Sequence, residues 1–206
     1  KAALEFRERL DALNVYMEAM QIPTHLRRRL RTYFQHLEQT SLIFRESHLL
    51  ADVSPELQTQ LARLANSTLI KKAPFFRDAS DRCIADILSC LRQLLYMPAE
   101  HVIHEGDSGF EMFFLKQGTV QVYIQAAGVV LAVMTDAGYF GEVALLKGCR
   151  RGASVKCVSY AIMYSLHATD LRMLTDRYEG LRDELHRVAD ERLELMKEHE
   201  GAEKLL

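Results

Sequence analysis

The chain has 206 residues, of which 49% are apolar and 26% are charged, and its formal net charge is −2. This is an ordinary globular composition, long enough for one large domain or two small ones, and it gives no general electrostatic reason to bind nucleic acid. The absence of a C-x-x-C pair and of an apolar run near ~20 residues argues against a zinc or disulfide framework and a membrane-spanning helix.

Residues 1–72 carry apolar side chains at helical spacing and show no strand pattern. A first helix is expected to end before Pro23, and Thr24 is a suitable N-cap for a second helix. Ser54 and Pro55 occupy the N-cap and first positions of a third helix. The first third of the chain is therefore predicted to be helical.

The pattern changes after residue 72, where a short helix leads into several strands separated by turns that mostly contain Gly or Pro. Further helices are predicted over residues 170–178 and from about 180 to 200. This order of elements predicts an α+β fold with a β-barrel or β-sandwich at its centre. The predicted strands cover residues 91–96, 101–104, 111–115, 119–124, 129–134 and 153–165.

Residues 140–155, F-G-E-V-A-L-L-K-G-C-R-R-G-A-S-V, form the most informative segment. Gly141 fits a tight turn before a single turn of helix, whose first N–H groups and dipole attract an anion. Arg150 and Arg151 add a bidentate cationic clamp for a phosphate. A phosphate would repel Glu142, which fits the site if it accepts from a neutral hydroxyl, such as a ribose 2′-OH. The segment therefore predicts a nucleotide site.

This segment resembles the phosphate-binding cassette of cyclic-nucleotide-binding domains, in the form found in hyperpolarisation-activated and cyclic-nucleotide-gated channels. The family pattern is F-G-E-x-x-L-L, a short spacer and R-R-T-A-S-V, and only its Thr differs here, as Gly152. The resemblance extends to nearly the whole chain. It implies a helical C-linker at residues 1–72 and a cyclic-nucleotide-binding domain at residues 73–206, with an antiparallel, jelly-roll-like β-roll and a C-terminal lid helix.

The resemblance also implies roles for the cassette residues. Arg151 is expected to pair with the phosphate oxygens, whereas Arg150 faces outward. Glu142 is expected to hold the 2′-OH, and the backbone N–H groups of Gly141, Glu142, Val143 and Ala144 complete the phosphate cage. Because Glu142 and Arg151 are both present, the chain is not expected to be a family member that has lost its ligand.

Gly152 is the departure from the family pattern. The family's Thr can donate a hydrogen bond to the phosphate and, in guanine-preferring members, to the purine. Loss of one such bond costs about 1 kcal/mol, so we expect weaker binding and a preference away from cGMP. Tight packing under a strand is an equally good reason for a Gly here.

The resemblance places further ligand contacts on the last helix and on two strands. Arg192 lies where the family carries a ligand-contacting Arg, although its helix face also fits simple packing on the β-roll. Met196 lies where the residue facing the purine decides base preference, and a Met favours adenine or a permissive site. Val122, Ala132 and Met134 would line the base pocket, but strand positions of this kind fit plain core equally well.

Other features have simpler explanations. His101 and His104 superficially resemble a metal site, but residues i and i+3 of a strand point to opposite faces, so no metal is predicted. The arginines of residues 27–31 are expected to form a solvated face or to pair with a neighbouring subunit. No nucleophile–His arrangement is present, and we expect no enzyme.

The resemblance implies the cytoplasmic, ligand-sensing part of a tetrameric, potassium-transporting cation channel of the plasma membrane. In this reading cAMP, or cGMP with lower affinity, binds in the β-roll, and lid closure acts on the pore through the C-linker. Since the chain starts at Lys1, we expect a fragment whose transmembrane pore domain lies upstream. Alternatives are the same module in a sodium–proton exchanger and, less well matched, a catabolite-activator-type transcription factor or a kinase regulatory subunit.

Overall fold

The computed structural model describes residues 2–44, 53–65, 73–76 and 79–203. The chain forms two compact units, residues 1–55 and residues 56–206. The functional boundary predicted at residue 72 lies outside the described residues and stays a prediction.

The described part of the first unit contains two helices, as the sequence predicts. Helix α1 (Ala2–Ala19) ends where Gln21 adopts a left-handed φ of 50°, and helix α2 (Thr24–Phe44) follows. Met17 is fully buried, and Arg31 Nε donates to Asn14 Oδ1 at 2.9 Å. At least one member of the arginine run therefore pairs within its own unit.

Helix α3 (Pro55–Ala65) starts at the last residue of the first unit, and the second unit continues with a 3-10 turn (Pro74–Phe76) and helix α4 (Asp81–Cys90). Ser80 is the N-cap of α4, and its side-chain oxygen accepts from the Cys83 N–H at 3.2 Å. Such a cap satisfies one of the unpaired N–H groups at the start of a helix.

Two four-stranded antiparallel sheets follow within the described residues, with strand orders β1-β8-β3-β6 and β2-β7-β4-β5. Together with the flanking helices they confirm the α+β fold and its β-roll. The strands are β1 (Arg92–Tyr96), β2 (His101–Ile103), β3 (Glu111–Gln117), β4 (Thr119–Ile124), β5 (Val129–Thr135), β6 (Tyr139–Phe140), β7 (Ser154–Cys157) and β8 (Ala161–His167).

The single strand predicted over residues 153–165 was wrong, because the chain turns between β7 and β8 and the two strands join different sheets. The turn is held by Thr119, whose carbonyl accepts from the Val158 N–H at 2.9 Å. Gly118 packs against this turn so closely that a Cβ would lie 2.3 Å from the Tyr160 carbonyl oxygen. The contact is long-range, which explains why the local pattern does not show the break.

Three helices complete the second unit: α5 (Glu142–Lys147), α6 (Ala168–Arg177) and α7 (Glu179–Glu203). One apolar core lies between the helices and the β1-β8-β3-β6 sheet, and a second lies between the two sheets. Buried residues of α7 belong to the first core, namely Leu181, Leu185 and Val188. No helix in the described part of the chain is long and apolar enough to span a bilayer.

Candidate functional site

A cavity of about 380 Å³ lies among the β2-β7-β4-β5 sheet, α5 and α7, within the size range of small-molecule sites. Ten of the eleven residues proposed from the sequence line it, from the cassette, two strands and the last helix. They are Val122, Ala132, Met134, Gly141, Glu142, Val143, Ala144, Arg151, Gly152 and Arg192. The eleventh, Met196, lies in α7, but its side chain is outside the described residues.

The cavity is built around the start of α5. Gly141 is the N-cap of this helix and has a left-handed φ of 89°, which a residue with a Cβ rarely adopts. A Cβ here would also lie 2.7 Å from Arg151 Nη1 and 3.2 Å from the Glu111 carbonyl oxygen. Gly141 is therefore required both by its backbone conformation and by the space that Arg151 occupies.

Glu142, the first residue of α5, is only 1% exposed. Its Oε1 accepts from Arg192 Nη1 at 2.8 Å, whereas its buried Oε2 has no hydrogen-bond partner among the described residues. Buried polar atoms in folded proteins are almost always paired, so an unpaired one calls for an explanation. Oε2 is an acceptor suited to a hydroxyl donor that enters the cavity.

Arg192 is fixed by two groups besides Glu142. Its Nη1 donates to the Tyr139 carbonyl oxygen at 2.9 Å, and its guanidinium carbon lies 4.1 Å from the centroid of the Tyr139 ring. That distance is favourable for a cation–π interaction. Tyr139 is not among the residues predicted from the sequence, because no local signal marks a residue that supports an arginine 53 positions away.

Arg151, just before β7, is only 7% exposed. Its Nη1 donates to the Gly141 carbonyl oxygen at 2.7 Å and its Nη2 to the Glu111 carbonyl oxygen at 2.6 Å. Burial lowers the pKa of the guanidinium, which the negative charges of Glu111 and Glu142 oppose. Because arginine is not deprotonated in proteins, Arg151 remains a cation at neutral pH.

The cassette residues on either side of Arg151 lie at the exposed rim of the cavity. Arg150 is exposed, as expected, and its Nη1 donates to the Gly106 carbonyl oxygen at 2.7 Å. Gly152 is also exposed, which does not fit the alternative that it packs tightly under a strand. The φ of Gly152 is not in the left-handed region, so a residue with a side chain can occupy this position without backbone strain.

Apolar side chains form the remaining wall. Val122 and Ala132 lie opposite each other on β4 and β5, and both line the cavity as expected. The structure adds Leu131 from β5, next to an irregularity in the β4–β5 register, and Leu193 and Leu195 from the lid helix. Leu185 and Ala189, which lie seven and three positions before Arg192 on the same helix, are buried and do not line the cavity.

The two histidines proposed to point to opposite faces do not do so. The ring centroids of His101 and His104 are 4.6 Å apart in a stacked arrangement. The prediction was wrong because β2 ends at Ile103, so His104 is outside the strand. His101 Nε2 is also 2.8 Å from the Tyr123 hydroxyl, and no group of three or more potential metal ligands occurs among the described residues.

Comparison with known proteins gives one family match and several similar channel proteins. Residues 93–178 match the family model of the cyclic nucleotide-binding domain. Over 190 residues, 92% of its length, the chain is 28% identical to potassium/sodium hyperpolarization-activated cyclic nucleotide-gated channel 1 from Homo sapiens and from Rattus norvegicus. It is also 28% identical over 190 residues to channel 4 from Homo sapiens.

The chain spans 21% of the length of these channel 1 proteins and 16% of channel 4. The match to the channels covers both the N-terminal helices and the β-roll, whereas the family model covers the β-roll and the start of the helices after it. Over residues 93–178 the chain therefore matches the cyclic nucleotide-binding domain, and over 92% of its length it is similar to the hyperpolarization-activated cyclic nucleotide-gated channels.

Proposed function

We propose that this chain is the cAMP-sensing module of a cyclic-nucleotide-regulated cation channel. The observation that carries the proposal is the buried Glu142 Oε2, which has no hydrogen-bond partner among the described residues and belongs to a cavity that Arg151 also lines. A buried acceptor next to a cation suits a ligand that presents a hydroxyl next to an anion. The 2′-OH and the phosphate of a cyclic nucleotide meet this requirement.

Each cassette group has a distinct task in this proposal. Arg151 is the phosphate clamp, and hydrogen bonds between ionised partners are about twice as strong as those between neutral groups. The N–H groups at the start of α5, which have no partner within the helix, supply further donors to the phosphate. Glu142 Oε2 accepts from the 2′-OH, which removes the cost of leaving that oxygen unpaired.

The choice of cAMP over cGMP is supported by what surrounds the base. Guanine presents an N1–H and an exocyclic amine, and a site that leaves these donors unpaired pays a desolvation cost. The strand side of the cavity consists of apolar side chains, including Val122, Leu131 and Met134. Gly152, without a hydroxyl, and Met196, which cannot accept as a carboxylate does, also favour adenine.

The relatives support a role in channel regulation. Arg192 joins the lid helix to the cassette through Glu142, so a ligand at the cassette is in a position to act on the lid. A ligand that binds one lid position better shifts the population toward it, and such couplings are typically ~1–3 kcal/mol. We propose that the N-terminal helices act as the C-linker, pass this shift to a pore domain and form the subunit contacts of a tetramer.

Calorimetric titration of the chain with cAMP and with cGMP tests the ligand. We expect saturable binding of cAMP at one site and weaker binding of cGMP. Absence of heat with both nucleotides, from folded protein, would contradict the proposal. Binding of cGMP at least about tenfold tighter than cAMP, about 1.4 kcal/mol, would contradict the base preference alone.

Two variants assign the phosphate clamp. Arg151→Glu is expected to abolish the cAMP heat, because it places a carboxylate where the phosphate is to bind. Arg150→Gln, at the exposed neighbouring position, is the control and is expected to retain binding. Circular dichroism of both variants checks that the fold is intact, and equal cAMP affinity of the two would contradict the role of Arg151.

A further inference from the structure

We infer that Gly109 is a positioning residue for Arg151, and that its missing side chain makes room for the guanidinium. A Cβ added at Gly109 would lie 2.4 Å from Arg151 Cζ, 2.4 Å from Nε and 2.8 Å from Nη2. Non-bonded carbon atoms pack at about 3.5–4.0 Å, so the Cβ and the guanidinium cannot both occupy these positions. The inference rests on the proposed function, because it assigns the phosphate clamp to Arg151.

The backbone of Gly109 does not by itself require a glycine. Its φ is not in the left-handed region, unlike that of Gly106 in the same turn, which has a φ of 84° and no atom near a Cβ position. A glycine is therefore needed at the two positions for different reasons. Gly106 allows the left-handed backbone of the turn, and Gly109 leaves space for the Arg151 side chain.

The guanidinium is also held on its other sides. Nη1 and Nη2 donate to the carbonyl oxygens of Gly141 and Glu111 at 2.7 and 2.6 Å. Gly141 leaves the same kind of space, since a Cβ there would lie 2.7 Å from Nη1. Gly109 and Gly141 thus both adjoin one buried cation, and moving that cation away from Gly109 disturbs its two hydrogen bonds.

The backbone next to this cation is fixed independently of the side chain. The Gly106 N–H donates to the Arg151 carbonyl oxygen at 2.8 Å, and the Arg151 N–H donates to the Asp107 carbonyl oxygen at 2.9 Å. The three atoms nearest to a Cβ at Gly109 all belong to the end of the Arg151 side chain. We expect Gly109→Ala to displace the guanidinium while the turn and the cassette backbone keep their places.

A positioning role of Gly109 can be distinguished from a role in folding. Replacing a glycine with a purely structural role would mainly lower the stability of the fold, whereas replacing Gly109 is expected mainly to lower the affinity for the ligand. For Gly109→Ala we expect cAMP affinity to fall by about tenfold or more. The melting temperature is expected to change by no more than about 2 °C. The matched control is Gly180→Ala, because no atom lies within 4 Å of a Cβ at Gly180.

The experiment combines calorimetry with the ¹H–¹⁵N signal of the Arg151 Nε–H, which is assigned by its loss in Arg151→Lys. In Gly109→Ala we expect this signal to shift, with or without cAMP, while Gly180→Ala leaves it in place. In the Arg151→Lys background, where the branched guanidinium is gone, Gly109→Ala is expected to change cAMP affinity by less than about twofold.

Two results would overturn the inference: native cAMP affinity with an unmoved Nε signal in Gly109→Ala, or an equal loss of affinity in both backgrounds. If the native chain binds neither cAMP nor cGMP, the proposed function fails. The Nε signal still decides whether Gly109 positions the guanidinium in that case, so the two failures are distinguishable.

Discussion

Arg192 of the lid helix and Glu142 of the cassette, 50 positions apart in the chain, form a salt bridge with 2.8 Å between Nη1 and Oε1. The Glu142 side chain is 1% exposed, and that of Arg192 is 32% exposed. A buried charge is costly unless it is paired, so this bridge makes the lid helix part of the electrostatic environment of the cassette.

Removal of Arg192 is therefore expected to destabilise the second unit. Arg192→Met keeps much of the side-chain volume but leaves the buried Glu142 carboxylate without its cation. Since Arg192 is partly exposed, we expect a loss of about 2 kcal/mol in the free energy of unfolding, below the usual cost of breaking a fully buried pair. Urea denaturation measures it. The double variant Arg192→Met/Glu142→Gln is expected to recover more than half of the loss, and native stability of the single variant would contradict the prediction.

Glu142→Gln tests which ligand atom the free carboxylate oxygen recognises. The native chain is expected to bind cAMP at least about tenfold more tightly than 2′-deoxy-cAMP, because a hydrogen bond to a charged acceptor contributes about 1.5–3 kcal/mol. Glutamine keeps the shape of Glu142 and removes the charge, so the variant is expected to lose most of this preference. Calorimetry with both nucleotides gives the comparison, and an unchanged preference would show that Glu142 does not recognise the 2′-OH.

Asp86 of α4 accepts hydrogen bonds from the junction of α6 and α7, and we expect this contact to make the stability of the second unit depend on pH. The Tyr178 hydroxyl and Arg177 Nη1 donate to Asp86 Oδ2 at 2.7 and 2.8 Å, and both bonds lower the pKa of the carboxyl group. A lowered folded-state pKa contributes stability that is present above the unfolded value of about 3.9 and lost as the pH falls through the folded value.

Asp86→Asn is therefore expected to be less stable than the native chain at pH 7, and the difference is expected to shrink as the pH falls toward about 3. Urea denaturation across this range measures the difference. Tyr178→Phe, which removes the first of the two hydrogen bonds, is expected to reduce the same pH dependence. A difference that stays constant with pH would show that the Asp86 charge is not the cause.

Cysteine labelling offers a test of cavity occupancy that does not depend on heat. Cys149 is exposed and lines the cavity, whereas burial raises the pKa values of Cys83, Cys90 and Cys157, that of Cys157 to about 11. The thiolate is the reactive form, so a maleimide at pH 7.5 is expected to modify Cys149 first. Mass spectrometry identifies the site, and Cys149→Ser is expected to remove the fast phase. We expect cAMP to slow the modification several-fold, and an unchanged rate at saturating cAMP would place the nucleotide elsewhere.

The parts of the site that follow from the sequence are the local ones. Gly141, Glu142 and Arg151 lie within one segment of eleven residues, so the sequence itself predicts that they form one site, for which a phosphate and a ribose contact remain predictions. The helices of the first unit and most strands are also marked by their own periodicity.

The parts that the sequence could not show depend on distant contacts. Tyr139 supports an arginine 53 positions away, and Gly109 adjoins one that is 42 positions away. The strand predicted over residues 153–165 divides because of contacts with Thr119 and Gly118. His104 turns toward His101 because the strand ends one residue earlier than the alternating pattern suggests. In each case the deciding neighbour is set by the tertiary fold and not by the local pattern.

The burial of the first half of α7 determines where a lid of this kind can bend. Leu181, Leu185, Val188 and Ala189 are each no more than 6% exposed, so swinging the whole helix away from the β-roll would expose the core. Arg192 lies one turn beyond this fixed half. The helix is thus fixed to the core as far as Ala189, so the proposed lid movement is confined to the residues after it, and hydrogen exchange is expected to rise sharply past Ala189.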